Sequence, residues 1–542
     1  MFVVSADGPK RSKSTSSIPC CVVRATSIGH AGLLIETDFG SICCDPWFEP
    51  AYLGSWFVFP RNDRLSDELM HKIEHPDYLY ISHLHADHLD ETWLPDHVSR
   101  EATVLLPGYP THELERRMRE LGFTKLIRTV DKEELVLRGG LNVAIHVETS
   151  ITDGPGGDSA LVVSDGVSRL VNQNDCRTSM LETLSAHGRV DLHWIQYSGA
   201  IWYPMVYEET PERMRELVDA KVDAQLTRAM RYVEAVDARA VVPSAGPPAF
   251  LDPDLFGLNV IDGDELSIFA DQRVFMAKLA EAGHVGVLAI PGTVIHVTPE
   301  AITTTHPLPD ADVEWIFSHK REYLEQYQAD YLPWLAELKA GWTLRTELAG
   351  TALLDAMRAW FEPLLAMAPT LRAGLGANVL LRAGDLDILL DFPNGEVRRH
   401  AGEPYGFRFV IQRELVETVV AQRAVDWSNS LFLSARFRAW REGQYNEYVY
   451  NFFKSLSVER MRRTEAEALR KMDPARGGIA DEEIQIGGYI CERTCPHRQA
   501  DLKVFGEIDE GHLVCTLHGW RFDLDTGECL TATNRKLRIR KT

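Results

Sequence analysis

Short apolar runs alternate with helix-like stretches over the first three hundred residues of the chain. Runs of four to eight apolar or β-branched residues between turn residues are typical of strands. We predict strands at 21–26, 32–37, 41–45, 78–81, 103–106, 141–148, 160–164 and 168–172. Thr210 and Pro211 suit the cap and first turn of a long helix with Met214, Leu217, Val218 and Val222 on its apolar face. This order fits a four-layer αββα sandwich over residues 21–305.

The pattern changes between residues 306 and 473, where long helical stretches precede strands. We predict helices at 312–340 and 350–368 and strands at 377–382, 386–391 and 406–411, with a hairpin turn at Pro393-Asn394-Gly395. This order indicates a middle α+β domain and suggests a sterol-carrier-like fold for it. The charged stretch from Arg460 to Asp473 predicts a solvated helix. Residues 474–478 read as a linker into a last module at 480–542, and residues 1–20 as a disordered tail.

Two cysteine–histidine pairs lie in that last module, with 17 residues between them. The four residues are Cys495, His497, Cys515 and His518. A 2Fe-2S cluster of mixed ligation needs two thiolates on one iron and two imidazoles on the other, so it takes one Cys and one His from each of two loops. The pairs resemble those of Rieske domains, which implies an all-β domain that binds a 2Fe-2S cluster. A structural zinc site is the alternative, although such sites usually pair cysteine with cysteine.

A second metal-binding pattern follows the apolar run at 78–81. Three histidines and one aspartate share a short segment, namely His83, His85, Asp87 and His88. Imidazole suits zinc and iron alike, and the carboxylate allows a second metal ion or a 2-His-1-carboxylate iron site. This H-x-H-x-D-H string, together with residues 28–32 and 44–47, resembles the UlaG-like branch of the metallo-β-lactamase superfamily. The resemblance implies the metallo-β-lactamase sandwich for residues 21–305 and a metal centre within it.

The remaining metal ligands of that superfamily come from later loops. Asp175 matches the place of an aspartate that bridges or closes the site. The intermediate ligand is usually a histidine, but the matching loop has none, so Asp153 and His146 are the candidates. With Asp153, two imidazoles and one carboxylate would favour iron over zinc. His30 and Asp45 stand near strand ends, where they could orient ligand imidazoles; for Asp45 a simple turn cap is the alternative.

The two metal-binding patterns together narrow the function. A Rieske cluster transfers one electron at a time, and a non-heme iron that reduces O2 needs such electrons, whereas a hydrolytic zinc site does not. The combination resembles the CMP-N-acetylneuraminate hydroxylase family, although the Rieske module comes first there. The resemblance implies an oxidoreductase of monooxygenase type that hydroxylates or N-oxidises a small polar metabolite at mono- or dinuclear non-heme iron. It also implies O2 and a ferredoxin or cytochrome-type donor with its reductase as partners.

Two other functions fit the same residues. The N-terminal domain could be a zinc hydrolase of a phosphodiester or lactone, with a metal-bound hydroxide as the nucleophile. Alternatively, a di-iron centre could reduce O2 or NO without an organic substrate. That function would need a flavin partner domain, and the sequence shows no evident Gly-rich dinucleotide fingerprint.

Charge and composition limit the partners. The net charge of −22 argues against nucleic acid and anionic membranes, so an anionic substrate would need a local basic pocket. No apolar run approaches the roughly 18 residues of a membrane span, and residues 1–20 lack the apolar core of a signal peptide. The nine cysteines do not suggest a disulfide framework, which fits a reducing cytoplasm. The composition is also compatible with a homo-oligomer.

Overall fold

The protein consists of three domains that follow one another along the chain. The structure is a computed structural model that describes residues 23–148, 157–178, 182–344, 352–472, 482–497, 500–517, 519–532 and 535–542. The predicted fold class is confirmed: an αββα metallo-β-lactamase sandwich, an α+β middle domain and an all-β Rieske domain follow in that order. None of the described helices is both long enough and apolar enough to cross a membrane.

Two sheets form the N-terminal sandwich. The first has the strand order Ile302–Thr305, Val294–Val297, Val23–Gly29, Gly32–Thr37, Gly40–Cys44, Tyr78–Tyr80, Thr103–Leu106 and Leu126–Arg128. The second has the order Ala240–Ser244, Leu192–Gln196, Arg169–Asn174, Asp158–Ser164, Asn142–Glu148 and Glu134–Val136. A two-stranded ribbon pairs Phe57–Val58 with Pro248–Ala249. The helices of this half are Asp67–Glu74, Leu94–His97, Glu113–Glu120, Glu182–Ser185, Pro211–Val236 and Gln272–Glu281.

Strands of the first sheet are buried on both faces because the sheet lies between the second sheet and a layer of helices. Leu33 and Ile35 belong to the core between the sheets, while Leu34 belongs to the core under the helices. Cys43 and Cys44 divide between the two cores in the same way, as strand periodicity requires. Alternate side chains of one strand therefore hold three layers together, and the sites at the strand ends rest on a rigid base.

The middle domain has a five-stranded sheet covered by helices. Its strand order is Glu396–Arg399, Leu386–Asp391, Val379–Ala383, Phe407–Ile411 and Phe437–Arg441. The helices are Asp310–Ser318, Lys320–Leu344, Ala352–Met367, Pro369–Leu375, Arg413–Ala421, Glu447–Lys454 and Val458–Met472. The turn at Pro393-Asn394-Gly395 is confirmed, because Gly395 donates its N–H to the Asp391 carbonyl at 2.7 Å and takes a φ of +75°.

Two predictions for the middle domain need correction. The stretch 312–340 is two helices rather than one, because the chain leaves helical geometry at His319 (φ −118°, ψ 40°). The stretch that begins at Arg460 is helical but not solvated along its whole length. Arg460 is 8% exposed and pairs with Glu113 of the N-terminal domain and with Asp426 at 3.4 Å, while Glu465 accepts the N–H groups of the helix that begins at Pro369. The sequence alone predicts that these charged residues are exposed to solvent, but Arg460 and Glu465 are buried because they have partners on other elements.

Two three-stranded sheets form the Rieske domain. They have the orders Glu483–Ile486, Tyr489–Glu492 and Ile539–Lys541, and Gly506–Asp509, His512–Cys515 and Trp520–Asp523, with one short helix at Leu502–Phe505. The domain packs on the long helix Pro211–Val236, with which it shares one apolar core. Arg231 of that helix donates to the Val504 carbonyl at 2.7 Å and pairs with Glu507.

Candidate metal centres and the cavity between them

The H-x-H-x-D-H segment begins directly after the strand Tyr78–Tyr80. This strand runs parallel to Gly40–Cys44, so the C-terminal ends of both lie at the same edge of the sheet. Asp45 follows the second of these strands, and the Asp45 N–H donates to the Tyr80 carbonyl at 3.0 Å. The strand Arg169–Asn174 of the other sheet delivers Asp175. Separate stretches of sequence thus bring their polar residues to one edge of the sandwich.

The first group of possible metal ligands comprises His83, His85 and Asp175. Their ligand atoms all lie within 4.8 Å of one another. The His83 Nε2 atom is 2.7 Å from the His85 Nδ1 atom and 3.9 Å from the Asp175 Oδ2 atom. Two imidazoles and one carboxylate that converge in this way are a donor set for iron or zinc.

The second group comprises His30, Asp87 and His88, which are all buried. The His30 Nε2 atom lies 2.9 Å from Asp87 Oδ2, and the His88 Nε2 atom lies 3.8 Å from the same oxygen. Asp175 stands between the groups, since its other oxygen, Oδ1, is 3.4 Å from His88 Nε2. Asp175 could therefore supply a ligand oxygen to a metal ion in either group.

Buried polar atoms without hydrogen-bond partners point into this space. Among the described residues, His85 Nε2, His88 Nε2 and Asp175 Oδ1 are buried and have no hydrogen-bond partner. An unpaired buried polar atom is costly, and a bound cation would remove that cost. The residues therefore fit a metal ion.

Asp45 and Ser82 position the imidazoles from behind. Asp45 Oδ2 lies 2.9 Å from His88 Nδ1 and accepts hydrogen bonds from Ser82 Oγ at 2.6 Å and Asn174 Nδ2 at 2.8 Å. Ser82 Oγ lies 3.0 Å from His83 Nδ1. A hydrogen-bond partner on the ring nitrogen that does not bind the metal, here Nδ1, fixes the tautomer and the direction of a ligand imidazole. The Nε2 atoms of His83 and His88 are thus aimed at the metal site.

Asp87 is held by two groups on the other side. Besides His30, the Tyr52 hydroxyl donates to Asp87 Oδ1. Residues around the centre also adopt left-handed backbone conformations, with φ of +52° at His30, +42° at Asp45, +51° at Tyr52 and +55° at Asn174. Residues other than glycine rarely adopt a positive φ, and backbone strain of this kind clusters at functional sites.

The protonation states of His83, His85 and Asp87 agree with metal binding. Burial lowers the pKa of His83 and lowers that of His85 well below its usual range, so both imidazoles are neutral at pH 7. Burial would raise the pKa of Asp87, but His88 and His30 hold it far below its usual range. Neutral imidazoles and ionised carboxylates are the forms that coordinate metal ions. Burial would lower the pKa of His88, but Asp175, Asp87 and Asp45 raise it well above its usual range, so a metal ion bound there would displace the proton.

The two candidates for the intermediate ligand have different outcomes. His146 is in neither group: its Nε2 atom lies 2.9 Å from the Nε2 atom of His187, whose Nδ1 atom is 3.0 Å from Glu134. The side chain of His146 alternates with that of Ile145, which faces the core between the sheets, so it lies on the opposite face. We leave His146 out of the ligand set. Asp153 lies outside the described residues.

Three residues of the centre were not singled out from the sequence. These are Tyr52, Ser82 and Asp158, and the last has its Oδ1 atom 3.3 Å from His83 Nδ1. Tyr52 is remote in sequence from Asp87, and Asp158 lies within the stretch 152–159 in which a ligand was sought, where only Asp153 was named as a candidate. Only Ser82 carried a signal, since it directly precedes the histidine segment.

The Rieske residues that the structure describes also lie together. Cys495 and Cys515 are fully buried neighbours, and burial, with Cys515 beside it, raises the pKa of the Cys495 thiol. The His497 ring stacks on Trp520 with centroids 3.9 Å apart. His518 lies outside the described residues. Two adjacent buried sulfurs with an imidazole in the next turn fit a cluster of mixed ligation.

One cavity of about 420 Å³ joins the two centres. His85, Asp158 and Asp175 line it from the N-terminal domain, and His497 and Trp520 line it from the Rieske domain. Middle-domain residues complete its wall, among them Arg441, Tyr445, Tyr450 and Lys454. Its volume is in the range of small-molecule sites.

Two family profiles match the chain. The Rv3818-like, SCP2-like domain matches residues 353–470, and the Rieske [2Fe-2S] domain matches residues 481–539. Among solved structures, Igni18, a metallo hydrolase from Ignicoccus hospitalis, has 17% identity and a TM-score of 0.36, and covers 51% of this chain and 98% of its own. CmlA, a diiron β-hydroxylase from Streptomyces venezuelae, has 17% identity and a TM-score of 0.33, and the match covers 51% of this chain and 54% of CmlA. Both scores lie below 0.5, so we draw nothing about chemistry from them.

Full-length relatives establish the family. The Rieske 2Fe-2S iron-sulfur protein Rv3818 of Mycobacterium tuberculosis (strain H37Rv) is 43% identical over 525 residues, which is 95% of this chain and 99% of the relative. A Rieske 2Fe-2S iron-sulfur protein of Mycolicibacterium smegmatis is 42% identical over 96% of this chain and 100% of its own. With such identity along nearly the whole of both sequences, this chain belongs to the Rv3818-like family of Rieske 2Fe-2S iron-sulfur proteins.

Proposed function

We propose that the protein is a Rieske-dependent non-heme iron oxygenase that hydroxylates or N-oxidises a small metabolite. The observation that carries the proposal is the shared cavity, which reaches His85 and Asp175 on one side and His497 and Trp520 on the other. A redox cluster beside a possible iron site has a use in oxygen chemistry. Hydrolysis needs no electrons.

The electron balance supports this pairing. Hydroxylation follows R–H + O2 + 2e⁻ + 2H⁺ → R–OH + H2O, so the substrate supplies two of the four electrons that O2 takes up and an external donor supplies two. A Rieske cluster transfers one electron at a time. Two successive deliveries from a ferredoxin or cytochrome-type donor would therefore complete one turnover.

The ligands of the catalytic metal would come from the two groups at the sheet edge. His83, His85 and Asp175 would hold one ion, and Asp87 and His88, with His30 in reach, a second. Iron held there would supply O2 activation. Asp45 and Ser82 fix the imidazoles, and Tyr52 holds Asp87 through its hydroxyl. Asp153 remains a candidate for a further ligand.

The domains would divide this work. Residues 21–305 would bind the catalytic metal, residues 306–473 would close the cavity, and residues 480–542 would deliver electrons through Cys495, His497, Cys515 and His518. The Rieske domain already lies against the N-terminal domain in one chain: Arg228 donates to the Leu517 carbonyl at 3.4 Å, next to the second cluster loop. Electron transfer within one chain is therefore the simplest route.

Metal counting and labelled oxygen test the proposal. The anaerobically purified protein should contain iron beyond the two cluster atoms, and His85→Ala should lose this extra iron but keep the Rieske electron paramagnetic resonance signal. His187→Ala, which changes a histidine outside both groups, is the matched control and should keep both. With ferredoxin, its reductase and ¹⁸O2, one labelled oxygen should enter the product, and Cys495→Ala should abolish turnover.

A zinc hydrolase is the second candidate, because histidine and aspartate ligands also suit two zinc ions. It predicts zinc without iron at the sheet edge. It also predicts product formation without O2 or reductant, with no change in Cys495→Ala. Those results would overturn the oxygenase.

A further inference from the structure

The cavity is cationic in a chain with a net charge of −22. Five basic side chains line it: Arg177, Lys221, Arg228, Arg441 and Lys454. The two carboxylates that line it, Asp158 and Asp175, both lie against His83 of the candidate metal centre. Bound metal ions would add further positive charge. A recessed cationic surface of this kind concentrates anions, even when the remaining surface is acidic.

Arg441 is the best-placed of these cations for a ligand. It lies at the end of the strand Phe437–Arg441, half-buried, with its guanidinium carbon over the rings of Tyr207 at 5.1 Å, Tyr203 at 5.5 Å and Tyr445 at 5.9 Å. Among the described residues, the titratable neighbours of Arg441 are Tyr207, Tyr450 and Tyr203, and no carboxylate forms an ion pair with it. The rings of Tyr203, Tyr207 and Tyr445 surround the guanidinium, and the Tyr207 hydroxyl is hydrogen-bonded to it, but its charge has no carboxylate partner in the part of the chain that the structure describes. A planar guanidinium can bind carboxylate or phosphate through two parallel hydrogen bonds.

The aromatic residues beside Arg441 give the cavity a second property. Trp202, Tyr203, Tyr207 and Tyr450 line the same space. Trp202 lies with its ring centroid 5.1 Å from that of Tyr450. Such walls suit an apolar or planar body that carries a charged group at one end.

We propose that the substrate is an organic anion, whose carboxylate or phosphate binds Arg441 of the SCP2-like middle domain while its apolar body lies among the aromatic residues. This proposal rests on the proposed oxygenase and names its substrate class. It also gives the middle domain a role, since that domain supplies the anion-binding side chain and the N-terminal domain supplies the metal. Lys454 of the same domain adds a second positive charge to the wall.

Calorimetric titration of the iron-loaded protein tests the proposal without turnover. The probes are phenyl phosphate, benzoate and the neutral benzyl alcohol. We expect at least one anion to bind and benzyl alcohol to bind about tenfold more weakly or not at all. Arg441→Met should weaken binding of that anion by about tenfold or more, whereas Arg441→Lys should retain part of it. Arg438→Met is the matched control, because Arg438 is exposed on the same strand, and it should bind like the wild type.

The outcomes separate this proposal from the oxygenase. Equal affinity for the anions and the neutral probe, or unchanged binding in Arg441→Met, would overturn the proposal, and in the second case any anion binding would belong to the other basic residues of the cavity or to the metal centre. Arg441→Lys, with its charge retained, shows whether a loss in Arg441→Met reflects charge or folding, and equal losses in both variants with a lowered melting temperature would also overturn it. Anion binding without O2-dependent turnover would support the proposal while refuting the oxygenase. The arm that binds tighter, phenyl phosphate or benzoate, identifies the anionic group.

Discussion

Asp45 holds the imidazole of His88, a candidate metal ligand, without belonging to either group of candidate ligands itself. Its carboxylate is fully buried and accepts hydrogen bonds at 2.6–2.9 Å from Ser82, His88 and Asn174. The sequence left a turn cap as the alternative for Asp45, and a cap would not need this set of partners. Asp45 would therefore affect metal binding through its hydrogen bond to His88.

Asp45→Asn should therefore weaken metal binding at the sheet edge by about 10- to 100-fold, because the amide cannot accept every hydrogen bond that the carboxylate accepts. The measurement is iron retained after dialysis against a chelator of graded strength. Asp77→Asn removes an exposed carboxylate that accepts from Ser41, and it should retain iron like the wild type. Equal iron retention in both variants would contradict the role of Asp45.

His193 makes stability depend on pH. It is fully buried, which lowers its pKa to about 3, and its Nε2 atom lies 2.9 Å from Gln173 Oε1. The unfolded chain binds a proton at this residue below about pH 6.5, whereas the folded chain does not, so acidification favours unfolding. From pH 7 to pH 5 the residue should remove about 2 kcal/mol of stability.

Urea unfolding at these two pH values measures this effect. His193→Gln keeps a side chain that can donate to Gln173 but has no titratable group. The variant should lose less stability than the wild type between pH 7 and pH 5, by about 2 kcal/mol. The same loss in both proteins would refute the assignment to His193.

At the scale of elements, most of the predicted strands are buried apolar runs, whereas strands with polar or charged residues were missed. The strands Gly32–Thr37 and Thr103–Leu106 match their predicted bounds almost residue for residue, because both are fully apolar at their centres. The strands Glu396–Arg399 and Leu192–Gln196 were missed, since the first is mostly charged and the second contains His193 and a glutamine. The local pattern of apolar and polar residues reflects burial. It does not predict a strand whose polar residues are buried against partners from elsewhere in the chain.

The same rule separates the parts of the candidate site. The histidine segment is contiguous, so its ligand atoms could be predicted to converge from the sequence. Tyr52 and Asp158 reach it only through the pairing of strands and loops. Nothing in their local sequence marks them.

The helix Val458–Met472 ties the middle domain to the N-terminal domain through Arg460. Arg460→Met should destabilise the protein by about 2–3 kcal/mol, because Glu113 and Asp426 would lose a largely buried cation. Thermal unfolding measures the change, and Arg462→Met, on the exposed side of the same helix, should shift the midpoint little. A similar midpoint in the two variants would show that the ion pair adds nothing.

At the scale of the whole molecule, Arg231 and Glu507 join the long helix to the Rieske domain. Arg231→Glu should slow reoxidation of the reduced cluster by O2 and substrate, because two like charges would then face each other across the interface. The cluster spectrum and iron content should not change. Stopped-flow absorbance measures the rate.

The charge-swapped double variant is the control for this prediction. Arg231→Glu combined with Glu507→Arg restores opposite charges and should recover much of the rate. A double variant as slow as the single one would mean that the ion pair does not govern docking of the domain.

The shared cavity has a consequence for how such proteins diversify. The side chains that would hold iron and the cluster come from the first and last domains, whereas part of the cavity wall, including Arg441 and Lys454, comes from the middle one. Part of the cavity wall is therefore encoded in a different stretch of the gene from the candidate metal ligands. Two descendants of one ancestor can keep every metal-binding side chain and still act on different compounds, so the wall residues, rather than the metal ligands, are the place to read substrate preference.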